Sequence, residues 1–435
     1  MSISDFNVLP KIARDTDIGY FCPEPLIGDF TKPFEGKFII STGVGRIRCD
    51  ISQVSLKRLV YNLGESFFRK SRTILTWDIK RFISYLRMVQ KGSYKPLEGR
   101  MIDLKYGLAY LAQSHRKPPE SLIEALALSP DIHTDPLWRK VNALVHTPLA
   151  TEVLPAMETR GVFDMSVPEV KYSNYEIEGQ VNGRLSTPKL SNRFLTVHSL
   201  TPQQKVHLSP RRRNDRETYI FIEVDFVHME VSMLQWLTGD AVLGSDLAKS
   251  TDFYETLFNF KGNAEKKRKA GKAVFLPVAY GLQSANLAKR LKMSELAADT
   301  IIRELKDRFS KCFSWLDERE ELLADKPIAT DYLGRRRDFS GEPSHKRRNF
   351  EVQSPAATVC LEKLVHLYRA LPDNVLFHIH DGYILTCKME DFMEVAKIAK
   401  DVLESESELC PGLRFKTKCR VGRNLFQLKE AKPRG

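Results

Sequence analysis

Tyr219-Ile-Phe-Ile-Glu-Val-Asp225 is the stretch from which the rest of the chain can be read. Its β-branched and aromatic content predicts a buried strand. A carboxylate ending such a strand is costly unless it is paired, solvated or metal-bound, so Asp225 needs a partner. A helix is expected next, with Met229, Met233, Leu234 and Leu237 on one apolar face and Gly239-Asp240 closing it. A second carboxylate stands in a comparable setting. In Val375-Leu-Phe-His-Ile-His-Asp-Gly-Tyr-Ile-Leu-Thr-Cys387, two strand-like runs flank Asp381-Gly382, which predicts a two-residue hairpin turn. Asp-Gly also makes hairpins with no chemical duty, so this feature alone has a purely architectural reading. The two aspartates lie 156 positions apart (381 minus 225), each where a strand ends. One shared sheet would bring them to one edge. Such a pair suits two Mg²⁺ ions about 3.5 to 4 Å apart, which stabilise the attacking and leaving oxygens of phosphoryl transfer. Magnesium binds through a few carboxylates plus phosphates and water, so two aspartates suffice.

Between them, Arg268, Lys272, Leu276 and Tyr280 recur at a spacing of four and form one stripe if the segment is helical. Two cations would clamp a triphosphate and the tyrosine ring would offer a stacking surface to a base. The bland alternative is a surface helix with a buried tyrosine. Pro277 is expected to kink or interrupt the helix.

The whole chain agrees with an anionic partner. Its 435 residues are 42% hydrophobic, enough for two or three domains with cores, and 67 Lys plus Arg against 55 Asp plus Glu give +12. Basic clusters occur at Lys205 to Arg216, Lys261 to Lys272 and Arg335 to Arg348, each of which also reads as a solvated face. No run of eighteen apolar residues occurs, and Met1 to Asp17 lacks the apolar core of a signal peptide. The expectation is a cytoplasmic protein that does not use a membrane. Seven scattered cysteines with no C-x-x-C pair indicate reduced thiols, with neither a disulfide framework nor a zinc ribbon.

The organisation predicts an α+β fold. Lys37 to Ser41 and Arg46 to Ile51 read as strands, and Leu56 to Phe68 and Ile79 to Met88 as helices, of a small α/β domain. Ser129 to Leu137, with two prolines and two aspartates, reads as a boundary loop, and Leu149 to Arg160 as one helix ended by Gly161. A final strand is expected near Phe415 to Val421.

Taken in order, these segments resemble a family A DNA polymerase, the group that includes bacterial DNA polymerase I. Asp225-Phe-Val-His-Met-Glu230 with Leu237-Thr-Gly-Asp240 is similar to the first catalytic motif of that family. Arg268-Lys-Ala-Gly-Lys272 with Tyr280-Gly281 is similar to its nucleotide-binding helix, and His380-Asp381 to its second catalytic motif. Gly183-Arg-Leu-Ser186, Gly334-Arg-Arg-Arg337 and Asn349-Phe-Glu-Val-Gln353 match further segments. The resemblance covers roughly residues 172 to 425. It implies a right-hand palm, an antiparallel sheet with helical fingers, preceded by a small α/β exonuclease-like domain of RNase H type. The implied division is 1–130 exonuclease-like, 131–175 linker and reduced thumb, and 176–435 palm and fingers, with the fingers at approximately 245–325.

Residue by residue, the resemblance assigns Asp225, Asp381 and the Phe226 carbonyl to two Mg²⁺ ions. Arg268, Lys272 and Tyr254 would contact the triphosphate, Lys272 also protonating pyrophosphate, with Leu276 and Tyr280 beside the nascent base pair. Arg184, Asn349, Gln353 and His380 would touch primer-template DNA, partly in the minor groove, whose acceptor pattern is nearly independent of sequence. Glu230 stands where the family's DNA enzymes keep a glutamate that leaves no room for a ribose 2′-OH, so dNTPs are implied. Leu276 and Ala279 look closer to the related single-subunit RNA polymerases, and Gly382 replaces an acidic residue usual in the family.

Two absences stand out against this resemblance. The first strand, taken as Phe38-Ile-Ile-Ser-Thr-Gly43, lacks the Asp-x-Glu metal ligands of a proofreading exonuclease. Thr73-Ile-Leu-Thr-Trp-Asp78 and Arg100-Met-Ile-Asp103 are the other landmarks of that region, which reads alternatively as an unrelated partner-binding domain. The Leu149 to Gly161 segment resembles the helix leading into the thumb, yet about twenty residues separate Gly161 from Gly183, too few for the thumb's long helical pair. Low processivity follows unless a processivity factor or a helicase/primase partner substitutes, since duplex grip depends on phosphate contacts. The leading expectation is a template-directed DNA polymerase without proofreading. The alternatives are an RNA polymerase or primase-like enzyme on the same architecture and an inactive relic that holds primer-template.

Overall fold

The computed structural model describes residues 18–23, 36–42, 45–51, 73–76, 80, 101–111, 135–188, 194–210, 218–249, 252–258, 263–325, 327–342 and 345–431. The architecture is α+β. Strands β1 (Ile18–Pro23), β2 (Gly36–Thr42), β3 (Gly45–Ile51), β4 (Thr73–Thr76) and β5 (Met101–Asp103) form one sheet in the order β3-β2-β1-β4-β5. β1 pairs antiparallel with β2 and parallel with β4, and β5 extends the parallel half. The strands expected at 37–41 and 46–51 are present, whereas the helices expected at 56–68 and 79–88 lie, apart from Lys80, outside the described residues. One expectation is corrected. Among the described residues the first strand is Ile18–Pro23, not the stretch that starts at Phe38, which belongs to β2, and it occupies the centre of the sheet. Gly19 and Pro23 at opposite ends of that run masked its strand pattern.

The helical segment expected at 149–160 begins earlier. Asp135 caps a helix at Pro136–Val141, accepting from the Trp138 N–H at 2.8 Å, and the chain stays helical through two π-turns, Asn142–His146 and Leu149–Val153, to Met157. Pro136 sits at the first helical position, where its missing N–H costs nothing, so the boundary loop ends before Leu137. Between Gly161 and Gly183 the chain forms two strands, β6 (Gly161–Asp164) and β7 (Glu169–Ser173), and turns, with no helix. These two pair with β8 (Phe194–Leu195) and β9 (Leu208–Pro210) in the order β8-β7-β6-β9.

The sheet that carries the site is antiparallel throughout. β10 (Tyr219–Val227) lies between β14 (Gly382–Lys388) and β15 (Lys416–Gly422), with β13 (Val375–Ile379) and β16 (Lys429–Glu430) at the edges. Period-two alternation sorts β10 between its two faces. Ile220, Ile222, Val224 and Phe226 enter the main core, where Phe226 meets the rings of Tyr383 and Phe415 at 5.7 and 4.9 Å. That core also holds Met229, Met233 and Leu234 of the Met229–Thr238 helix and Val352, Ala356 and Val359 of the His345–Ala370 helix. On the opposite face Phe221 is covered by a second cluster with Val162, Leu208 and Ile384. Two and four residues further on, Glu223 and Asp225 emerge on that same face only half-buried. The floor of the site is the uncovered end of this sheet face.

Pro277 does not interrupt its helix, which runs from Ala264 to Ala279. It lies in the last turn, so it deletes one late hydrogen bond rather than a central one. Among the described residues no helix is long and apolar enough to cross a membrane.

Candidate active site

Antiparallel register brings the two aspartates together. Asp225 stands opposite Gly382 across the β10–β14 ladder, and the Phe226 N–H donates to the Asp381 carbonyl at 3.3 Å. A strand residue points its N–H and C=O to the same side, so the Phe226 carbonyl is also directed toward the Asp381 turn. The hairpin loop is His380-Asp381, one residue earlier than the expected Asp381-Gly382, because Gly382 already pairs with Ile379. His380 takes the left-handed conformation at φ 55°. Gly382 has a packing reason: a Cβ there would lie 3.1 Å from Asp225 Oδ1.

Electrostatics make this corner a place for cations. Burial raises the Asp225 carboxyl to about 6, and Glu223 and Asp381 push it the same way. A divalent ion would relieve that repulsion. Among the described residues no group of three or more His, Cys, Asp and Glu side chains is arranged to hold a metal ion by itself. Two carboxylates and a backbone carbonyl match a magnesium site that leaves the remaining positions to phosphate and water.

The predicted stripe faces the same cleft. Arg268, Lys272 and Leu276 line a cavity of about 240 Å³ together with Asp225, Asp381 and Tyr254. Gly271 lets the helix approach closely, since a Cβ there would fall 2.2 Å from the Tyr254 carbonyl oxygen. Tyr280, the last of the stripe, donates to Glu230 Oε2 at 2.8 Å. Arg184 Nη2 stands 3.4 Å from both Glu230 Oε1 and Asp381 Oδ1. Burial raises the Glu230 carboxyl; Tyr280, Arg184 and Gln353 act against that shift. Glu230 is therefore held from three sides at the cleft wall.

The proposed DNA contacts are not all gathered at the cavity. Gln353 reaches Glu230, while Asn349, one turn earlier on its helix, has a buried Oδ1 with no partner among the described residues. His380 turns toward His198, ring centroids 5.4 Å apart.

Four side chains take roles that the sequence did not indicate. Asp252 is a buried hub: its Oδ1 accepts from the Tyr254 N–H at 3.1 Å and its Oδ2 from Arg268 Nε at 2.6 Å. His228 accepts from the Phe253 N–H at 3.1 Å, and its imidazole is lowered to about 4, chiefly by burial. The spacing from Asp252 to Tyr254, a helix-cap signal, could have exposed the first of these. Lys418 of β15 also lines the cavity. Finally, Arg335, expected in a solvated basic cluster or as part of a family segment, is buried. It pairs with Glu178, stacks 4.2 Å over the Tyr110 ring and lies against Gly183, while Glu178 also meets His146 Nε2 at 2.7 Å.

The description DNA polymerase family A matches residues 172–427, well over half of the chain. DNA polymerase I of Chloroflexus aurantiacus is 23% identical over 256 residues, covering 54% of this chain and 26% of that protein. The thermostable DNA polymerase I of Thermus aquaticus is 23% identical over 207 residues, 43% of this chain and 25% of that protein. The DNA polymerase of Bacillus phage SP01 is 23% identical over 270 residues, 55% and 29% respectively. The chain thus spans about a quarter of the length of these curated relatives. Among solved structures, the POL domain of Pol1 from M. smegmatis, in complex with DNA primer-template and dNTP, shares the fold with a TM-score of 0.66. The identity is 12%, over 98% of this chain and 99% of that one. The family match over the segment that holds β10, the Ala264–Ala279 helix and the His380-Asp381 hairpin establishes that this chain belongs to DNA polymerase family A.

Proposed function

We propose that the chain is a template-directed DNA polymerase that extends a primer 3′-OH with dNTPs. The observation that carries this reading is the meeting of Asp225 and Asp381 at one sheet corner, facing Arg268 and Lys272 across the cleft. Asp225, Asp381 and the Phe226 carbonyl would hold two Mg²⁺ ions, which when bound stabilise charge on the attacking and leaving oxygens. Arg268 and Lys272 bind the triphosphate, and Lys272 gives a proton to departing pyrophosphate; their common position on the cavity wall supports both roles. Tyr254 contacts phosphate, and Leu276 and Tyr280 bound the nascent pair. Glu230, held by Tyr280 and Arg184, fills the space a 2′-OH would need. Arg184, Asn349, Gln353 and His380 serve the primer-template.

The same reading assigns 1–130 to an exonuclease-like unit without proofreading, 131–175 to a linker and reduced thumb, and 176–435 to palm and fingers. The β3-β2-β1-β4-β5 order with its mixed pairing supports the first assignment, and Ile18-Gly-Tyr-Phe-Cys-Pro23, free of carboxylates, supports the loss of hydrolysis. Two short strands where a helical thumb would rise support low intrinsic processivity, to be supplied by a processivity factor or a helicase/primase partner, in the cytoplasm.

Extension of a labelled primer by purified protein with Mg²⁺, dNTPs against NTPs, tests the reading. A dNTP ladder that Asp381→Asn abolishes without loss of duplex binding is expected. Extension with NTPs alone would favour the RNA enzyme, and duplex binding with no extension would favour the relic.

A further inference from the structure

The antiparallel register places a row of cations beside the catalytic strand. Residues directly opposite each other share a face, so Lys416, Lys418 and Arg420 of β15 stand on the open face next to Val227, Asp225 and Glu223. Arg420 is committed, with its Nε 2.6 Å from Glu223. Lys418 is not: it lines the same cavity as Arg268 and Lys272, and among the described residues its ion-pair partner is Asp252, with Oδ2 at 3.7 Å. That oxygen already accepts from Arg268 at 2.6 Å. Two cations, one from the fingers helix and one from the palm strand, therefore converge on a single buried carboxylate oxygen. One carboxylate cannot neutralise both at full strength, and a polyphosphate entering the cleft offers each a better acceptor.

We infer that Lys418 is a third nucleotide-binding cation, which with Arg268 and Lys272 grips the triphosphate and then the leaving pyrophosphate, while Asp252 parks Arg268 and Lys418 when the cleft holds no nucleotide. The inference deepens the polymerase reading and rests on it. Lys418 approaches from the floor of the cleft, opposite the fingers, so the triphosphate is held between two elements instead of along one. Its side chain is 40% exposed, so solvent screens part of the interaction.

The test uses the full chain bound to a dideoxy-terminated primer-template, titrated with the complementary dNTP and, separately, with inorganic pyrophosphate. Lys418→Gln is expected to raise both dissociation constants roughly five- to tenfold. Lys418→Arg should stay within about twofold of the parent, and Lys397→Gln, a distant exposed lysine paired with Asp401, should change nothing. Primer-template affinity should be unaltered in all three, and a thermal melt reports folding. Unchanged nucleotide and pyrophosphate affinities in Lys418→Gln would overturn the inference. So would a loss confined to primer-template binding, which would make Lys418 a DNA contact. If Lys418→Gln does not fold, Lys418→Arg and Lys418→Met are compared, and equal affinities in the two overturn it as well. Failure of the unaltered chain to extend a primer would instead sink the polymerase reading.

Discussion

Replacing Gly271 with alanine sets two opposed effects against each other, and the structure says which wins. Gly271 lies mid-helix in Ala264–Ala279, where alanine is favoured over glycine by about 1 kcal/mol. On that ground alone the variant would be more stable. The added Cβ, however, would meet the Tyr254 carbonyl oxygen at 2.2 Å and its carbonyl carbon at 2.9 Å, well inside the 3.4 Å at which ordinary contact begins. These are backbone atoms and cannot swing aside, so the helix must lift from the Phe253–Thr256 segment by about 1 Å, an overpacking that costs about 1 to 3 kcal/mol. The net expectation is a modest loss of stability, about 0 to 2 kcal/mol. The functional loss should be larger. Arg268 and Lys272 flank Gly271, and a shift of about 1 Å at a positioned group costs up to about a hundredfold in rate. Steady-state single-nucleotide incorporation should show kcat/KM for dNTP reduced roughly ten- to a hundredfold with primer-template affinity retained. Unaltered nucleotide kinetics together with a raised melting temperature would refute the close approach.

Three further outcomes follow from the same geometry. Tyr280→Phe removes the 2.8 Å bond to Glu230, a hydrogen bond to a charged group, and should lower discrimination against NTPs roughly tenfold, with Glu230→Ala lowering it further, as measured by the ratio of dNTP to NTP incorporation. His378 is buried with neither ring nitrogen partnered among the described residues, and burial depresses its imidazole to about 3. The unfolded chain takes up that proton below about 6.5 and the folded chain does not. Stability should therefore fall as pH drops from 6.5 toward 3, by up to about 1.4 kcal/mol per unit. Glu178, held down to about 2 by Arg335 and His146 against its burial, adds a second loss between 4.5 and 2. In urea titrations His378→Leu should make the first slope shallower, with the depressed imidazole of His228 keeping part of it, and leave the second. A primer ending in a mismatch should not be trimmed by the purified chain in Mg²⁺, and shortened products on a denaturing gel would contradict the assignment of 1–130.

Much of the site was legible because it is local. The β-branched and aromatic content of Tyr219 to Asp225, the four-residue spacing of Arg268, Lys272, Leu276 and Tyr280, and the Asp-Gly pair are each local signals, where composition, period and turn chemistry speak directly. What escaped depends on pairing between distant segments. Lys418 becomes a cleft residue only through its register with Asp225, and Asp252 becomes a hub only when two elements bring Arg268 and Lys418 to it. Arg335 shows the opposite failure. A basic run reads as solvated face, yet the opposite charge of Glu178, 157 positions away, holds it in the interior. The hairpin shifted by one residue is an error of register, which composition does not encode, whereas the first strand was hidden by Gly19 and Pro23 within it.

In the proposed reaction the carboxylates of Asp225 and Asp381 jointly hold a pair of divalent ions when nucleotide is present. Electron paramagnetic resonance of Mn²⁺, titrated into the chain with dideoxy-terminated primer-template and dNTP, reads this directly. Two spin-coupled ions per chain are predicted, falling to one uncoupled ion or none in Asp381→Asn. Two coupled ions persisting in that variant would contradict it.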